Sequence, residues 1–437
     1  MEDEGVGDSK PDGAGRARGR FQNLLVVVGS IAFSLAFAEC GLRLYHHGNL
    51  AGLSGEHSLR IPHPVRGWTL DAGGAAFQRT KDYGVHVRIN SKGLRDREHE
   101  YEPAPGVFRI VVLGDSYMEA YQVPLEDSLP YLLQERLAER KVEVVNLGVG
   151  GYGTAQQFLY LRDEGLRYRP DLVVLAFFLG NDVHNNSRVL QEMMHGEDAL
   201  KVFGRLYARP RGLEGEINWT MPDAERVRLL ADAWRRRRTG TWRTMIRLLQ
   251  PAMVANVVER ATGSLAERFA GHAAYDPNVA YGWPFLEAFA PSYAAPGLST
   301  DAYKEIWDEA WLATRRVILE IDRLAASQGA DFVVMAVPEI FQVDRAFLES
   351  SEALYPGLAF DETRINRELR RFAGAHGIGF LDLTPAFMEG HSRDTRPLYY
   401  LIEDHHWNSE GHELAAVELA GYLDREQLIP APSGRVP

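Results

Sequence analysis

Cysteine is nearly missing: Cys40 is the only one in 437 residues. That excludes a disulfide framework and a cysteine-based zinc site, and leaves the redox compartment open. An excess of positive charge is missing as well. Asp and Glu number 60 against 48 Lys and Arg, a formal net charge of −12, which argues against a generic nucleic-acid binder. Internal repeats are absent. The N-terminal apolar run, "LLVVVGSIAFSLAFA" at 24–38, carries no charge but falls short of the roughly 20 residues that span a bilayer. What remains is ordinary globular composition, 45% hydrophobic and 25% charged, in a chain long enough for one large core with an insertion or for two domains.

Residues 1–20 are rich in Gly, Asp, Glu and Arg without an apolar pattern and read as a disordered tail. Arg16, Arg18 and Arg20 precede the apolar run, which by the positive-inside rule sends the body of the protein out of the cytoplasm. Residues 21–44 fit an uncleaved membrane anchor with a short or tilted span. They also fit a signal peptide cut after Ala38, because Ala36-Phe37-Ala38 matches A-x-A. Both readings export the body, either tethered on the extracytoplasmic side, in a periplasm or at a cell surface, or secreted. Glu39 stands where lipid attachment to Cys40 needs a small residue.

Residues 45–107 read as an N-terminal extension with short strands, "VHVRIN" at 85–90 among them. From Phe108 a different rhythm begins. "FRIVVLG", "VEVVNLG" and "DLVVLAFFLG" are short apolar runs that predict buried strands, separated by helix-patterned "DSLPYLLQERLAER" and "TAQQFLYLRDEGLRY". The rhythm breaks at about 183–300, a largely helical insertion. It resumes with a helix at 303–327, the strand "ADFVVMAVP", a helix at 362–376, the strand "GIGFLDL" and a last helix after Ser409. Strands alternating with helices argue for a mostly parallel sheet covered on both faces. Residues 108–425 form this α/β domain, and 426–437 form a flexible tail.

In such sheets ligands bind beyond the carboxyl ends of the strands, so the segments placed there carry the chemistry. The first strand ends in Gly114-Asp115-Ser116 and the second in "NLGVGGYGT", Asn146–Thr154. The third ends in Gly180-Asn181-Asp182, and "EDHHWN" precedes the last helix. A serine hydroxyl, a Gly-rich loop with exposed N–H groups, a side-chain amide and an Asp–His pair together make a nucleophile, oxyanion donors and a base with its orienting carboxylate. Acyl transfer through a serine ester requires that set.

Over roughly 108–182 and 330–425, these four segments in this order resemble the SGNH (GDSL-type) hydrolases. The resemblance implies a flavodoxin-like three-layer α/β/α sandwich. Carried over, Ser116 is the nucleophile and also an oxyanion donor through its own N–H. Gly151, five residues after Asn146, donates a second N–H, and Asn181 its amide. The last block departs from the usual Asp-x-x-His, since Trp407 stands three residues after Asp404. It resembles the Asp-x-His-Trp pattern of the branch containing alginate acetyltransferase-like envelope proteins. On that match His406 is the base and Asp404 its partner, with His405 the competing histidine.

The implied activity is a membrane-tethered serine esterase that removes an O-acyl group from an envelope glycan or lipid. One alternative is an O-acyltransferase that passes the group to a polysaccharide hydroxyl, and another is a non-catalytic envelope scaffold. No cofactor or metal is implied: His405, His406 and His412 with Asp404 could suggest a metal site, but the serine mechanism accounts for His406 without one. The expected partners are the acylated substrate and, through residues 21–44, the membrane; nucleic acid is not among them. Asp115 reads as a loop-stabilising residue, Asp182 as a backbone acceptor, and Trp407 as packing near the site. Arg235–Arg238 read as a solvated helix face, and Trp283, Phe285, Phe289 and Tyr293 as either packing or a sugar-stacking surface.

Overall fold

In the computed structural model, residues 59–195, 205–220, 289–290 and 299–431 are described, without 355–356, 393 and 403, together with Ser30. The expected anchor at 21–44, apart from Ser30, lies outside them. So do the tail at 1–20, Arg235–Arg238, Trp283, Phe285, Tyr293 and the last residues, 432–437. Among the described residues no helix is long and apolar enough to cross a membrane.

Two antiparallel hairpins come first: β1 (Arg60–His63) with β2 (Gly67–Leu70), and β3 (Ala75–Arg79) with β4 (Gly84–Arg88). The strands β5 (Phe108–Gly114), β6 (Val142–Gly148) and β7 (Leu172–Phe178) follow. A small antiparallel hairpin, β8 (Tyr207–Pro210) and β9 (Ile217–Thr220), then precedes β10 (Asp331–Val337) and β11 (Gly379–Asp382). Five strands make one parallel sheet in the order β11-β10-β7-β5-β6. This is the flavodoxin-like order, whose switch point lies between the first and third strands of the sheet, here β5 and β7. All seven residues of β7 are buried, as are all but the first of β5. That is why β7 reads as an unbroken apolar run, and why β5 does from Ile110 onward, rather than alternating.

The helices are α1 (Ser116–Glu119), α2 (Leu129–Arg136), α3 (Thr154–Asp163), α4 (Asp182–Asn185), α5 (Arg188–His195), α6 (Thr300–Ala326), α7 (Ile340–Val343), α8 (Arg345–Leu354), α9 (Arg364–His376), α10 (Thr384–Gly390) and α11 (Ser409–Arg425). Parallel crossovers are right-handed, so the side a helix takes follows from the direction of the strand step. The step from β5 to β6 runs one way along the sheet; those from β6 to β7, β7 to β10 and β10 to β11 run the other. This puts α2 on one face and α3, α6 and α9 on the opposite one. The packing agrees, because α3 lies against α6 and α11 against α2.

The expected strands and helices of the α/β body appear within a few residues of their expected bounds. The insertion differs in what can be seen of it: besides α4 and α5, residues 207–220 form the β8–β9 hairpin, which the helical expectation did not include. The remainder, 196–204, 221–288 and 291–298, lies outside the described residues. The N-terminal hairpins are integral to the fold, since Trp68, Leu70, Val85 and Val87 belong to the same buried apolar cluster as the sheet.

Candidate active site

The site forms where β5 meets α1. A Cβ on Gly114 would lie 2.3 Å from Met118 Cγ, so only glycine lets the short helix turn this tightly over the strand end. Asp115 caps the helix by accepting the Tyr117 N–H at 3.0 Å, the loop-stabilising role expected of it. Ser116 is therefore the first residue of α1, 9% exposed, at the carboxyl end of a central strand and beside the switch point.

The Asp–His segment reaches Ser116 because Trp407 is anchored. Its ring is fully buried, stacked on Phe387 of α10 at 4.8 Å and edge-on to Tyr117 at 4.9 Å. That anchor presents the preceding residue to the serine. His406 Nε2 lies 2.7 Å from Ser116 Oγ, and His406 Nδ1 lies 2.6 Å from Asp404 Oδ1. The same Oδ1 accepts the His406 backbone N–H at 3.1 Å. A carboxylate accepts only, so Nδ1 carries the proton and Nε2 is left to accept from the Ser116 hydroxyl. Burial alone would raise the Asp404 pKa. The charge of His406 and hydrogen bonds from His406 and Tyr83 outweigh it and hold the carboxyl well below the usual carboxylate range. His405 turns elsewhere, edge-on to Phe347 of α8 at 4.9 Å.

The oxyanion candidates lie on the neighbouring strand ends. Gly151 follows β6 with φ +77°, a conformation that favours glycine, and a Cβ there would meet the Trp68 ring at 3.2 Å. Its loop runs beside the serine turn, where the Val149 N–H donates to Gly114 O at 3.3 Å. Asn181 follows β7 as the N-cap residue of α4, yet its side chain makes no cap bond. Its amide lies against Asp115, and its Oδ1 is buried without a partner. Burial raises Asp115 to about 6, against the Tyr117 N–H, the charge of His406 and the Asn181 amide. Asp182, fully buried, accepts the Phe178 N–H at 3.0 Å, and burial with the neighbouring Asp115 charge pushes it well above the usual range.

Other sequence readings resolve against function. His412 is buried and accepts the Leu129 N–H at 3.3 Å, and burial lowers its pKa to about 3, so it is a neutral structural histidine. Among the described residues no cluster of three metal-ligating side chains exists. Phe289 is fully buried, edge-on to Phe341 at 4.5 Å, so it packs and offers no face to a sugar.

Against this geometry stand the matches to known families. Residues 112–302 match the GDSL-like lipase/acylhydrolase family, and residues 301–435 match the SGNH hydrolase-like domain of acetyltransferase AlgX. The chain carries an SGNH-type hydrolase domain. Its activity class is ester hydrolysis or acyl transfer. The two matches meet at residues 301–302, at the start of α6, and both contribute strands to the one parallel sheet, the first covering Ser116, Gly151 and Asn181 and the second covering Asp404 and His406. Solved structures similar to the SGNH domain include the acetyl xylan esterase AlAXEase, at 14% identity over 72% of this chain and 98% of that one, with a TM-score of 0.35. A lipase/acylhydrolase from Enterococcus faecalis is also 14% identical over 75% and 100%, with a TM-score of 0.35. A putative acylhydrolase from Bacteroides fragilis is 12% identical over 74% and 90%, with a TM-score of 0.33. No curated protein matches the chain.

The SGNH domain uses residues that the sequence did not single out. Tyr83, in the turn between β3 and β4, donates its hydroxyl to Asp404 Oδ2 at 2.8 Å. Its neighbour Asp82 accepts the backbone N–H of Asp404 at 2.9 Å and of Ile402 at 3.0 Å. Glu119, buried in α1, accepts the Gly150 N–H at 2.5 Å and pairs with Arg60 of β1 at 3.1 Å. Tyr83 and Asp404 lie 321 positions apart, and no local pattern links them. Glu119 left a weak signal: a carboxylate three residues after the serine, on a helix too short to turn it to solvent.

Proposed function

We propose that the protein is a membrane-tethered extracytoplasmic serine esterase that removes an O-acyl group from an envelope glycan or lipid. The observation that carries the reading is the continuous relay Ser116 Oγ–His406 Nε2 and His406 Nδ1–Asp404 Oδ1, at 2.7 and 2.6 Å. His406 takes the hydroxyl proton as Ser116 Oγ attacks the ester carbonyl. The tetrahedral oxyanion is met by the N–H groups of Ser116 and Gly151 and by the Asn181 amide. That amide has two N–H groups, so one serving Asp115 leaves the other for the oxyanion. Each such donor is worth about 2.7–4 kcal/mol of barrier. His406 then protonates the leaving sugar or lipid oxygen. The C–O bond breaks, and acyl-Ser116 remains. Water, deprotonated by His406, releases the acid and restores the serine.

A second reading replaces that water with a polysaccharide hydroxyl, giving an O-acyltransferase. It is favoured by the acetyltransferase family match over the segment that holds Asp404 and His406. The test uses the full chain in detergent with an acetyl ester as donor. Wild type should form acetyl-Ser116, seen by mass spectrometry, and label with a fluorophosphonate; Ser116→Ala should do neither. Free acetate as the product supports the esterase, and acetate transferred to an added polysaccharide supports the transferase. Correctly folded wild type that neither turns over nor labels sinks both.

A further inference from the structure

The Gly150–Gly151 peptide is held by a side chain far from the serine in sequence, and the peptides on either side of it are held by Glu119 and Arg205. Trp68 Nε1 of β2 donates to Gly150 O at 3.1 Å. The Gly150 N–H goes to Glu119 Oε2, and Arg205 Nη1 donates to Gly151 O at 3.0 Å. Trp68 itself is 4% exposed, wedged against Tyr152 at 5.8 Å with the Arg205 guanidinium 5.3 Å from its ring. A trans peptide is planar with its C=O and N–H pointing in opposite directions. A donor that fixes Gly150 O therefore fixes the direction of the Gly151 N–H, on the side away from Trp68. Neither glycine has a Cβ to resist rotation of the peptide between them. A flip would put a carbonyl oxygen where the oxyanion donor stands.

We propose that Trp68 is a positioning residue for the reaction, locking the Gly150–Gly151 peptide so that the Gly151 N–H faces the oxyanion. This rests on the acyl-serine reading above. It makes the N-terminal extension part of the catalytic apparatus rather than a spacer between membrane and enzyme. Without the lock, the loss is bounded by removal of one oxyanion donor, about 10²–10³-fold in kcat.

The experiment compares wild type, Trp68→Phe, and the chain with 3-benzothienylalanine at position 68, an isostere that keeps the ring's shape and lacks its N–H. Each is assayed on a short-chain aryl ester for kcat, KM and pH profile, and for affinity toward a boronate that mimics the tetrahedral intermediate; thermal melts report folding. The expected result is a kcat lower by at least tenfold in the isostere, with KM and the pH profile unchanged. Boronate affinity should fall in step, because the oxyanion is lost while the Ser116–His406–Asp404 relay is intact. An isostere that melts like wild type and retains its kcat and boronate affinity overturns the role of Trp68 and leaves the esterase reading standing, even if Trp68→Phe is impaired through packing. Folded wild type that is inert to every ester and to the fluorophosphonate removes the esterase reading, and this inference with it.

Discussion

Replacing Asp404 by Asn should be far milder here than in a serine triad where the amide settles in the wrong orientation, which loses about 10⁴-fold in kcat. The reason is the second donor on Oδ1. Both the His406 backbone N–H, at 3.1 Å, and Nδ1, at 2.6 Å, point at that oxygen. An amide NH₂ in its place would face two N–H donors. The carbonyl of Asn is therefore pinned at the Oδ1 position and keeps His406 in the working tautomer. The NH₂ takes the Oδ2 position, where the Tyr83 hydroxyl, at 2.8 Å, turns from donor to acceptor. What is lost is the charge that stabilises the imidazolium. The lower bound is the step from a charge-assisted to a neutral hydrogen bond, about 1.5 kcal/mol. The upper bound is the attraction of unit charges at 2.6 Å, about 6 kcal/mol at an effective dielectric constant of 20. A value of about 3–4 kcal/mol lowers kcat by about 10²–10³-fold. Tyr83→Phe should lower kcat by about tenfold in wild type and by more in the Asp404→Asn background, where Tyr83 anchors the amide. The assay is kcat on an activated ester for the two single variants and the double variant. An Asp404→Asn loss of 10⁴-fold or more, or a Tyr83→Phe effect equal in both backgrounds, refutes the pinning.

Three further outcomes are expected. Gly151→Ala forces a left-handed conformation and drives Cβ to 3.2 Å from the Trp68 ring; it should destabilise by about 1–2 kcal/mol, lower kcat, and leave the His406-dependent pH profile in place. His405→Ala removes a ring packed on Phe347 and should keep kcat within a few-fold while lowering the melting temperature; a loss as large as that of His406→Ala would exchange their roles. His99 bridges Asp96 at 3.0 Å and Glu143 at 2.6 Å; burial alone would lower its pKa, but bonds to the two carboxylates and their charges raise it to about 9. Its pKa is raised on folding, so its contribution, roughly 3 kcal/mol, is fully present below about pH 6.5 and is lost as the pH rises through about 9. Melting temperatures from pH 6 to 10 should show that alkaline fall, and His99→Gln should flatten it; an unchanged alkaline limb would assign the fall to another group.

The parts of this protein that its sequence determined are those governed by local rules. Strand runs such as Leu172–Phe178 are apolar throughout because both faces of a parallel sheet are covered. The serine turn, the Gly-rich loop and the Asn181 segment each sit just past such a run, where the α/β architecture gathers functional groups. The segment at 404–407 showed that an Asp–His pair was present. Only the tertiary structure decided which histidine acts: the buried Trp407 and Phe387 stack orients its chain neighbour His406 toward Ser116, while Phe347 holds His405. The same is true of Tyr83, Asp82 and Trp68. Their spacing from the residues they hold, 321 positions for Tyr83 and Asp404 and 82 for Trp68 and Gly150, carries no periodicity. Such contacts come into being only when the hairpins of the N-terminal extension pack across the carboxyl ends of the strands.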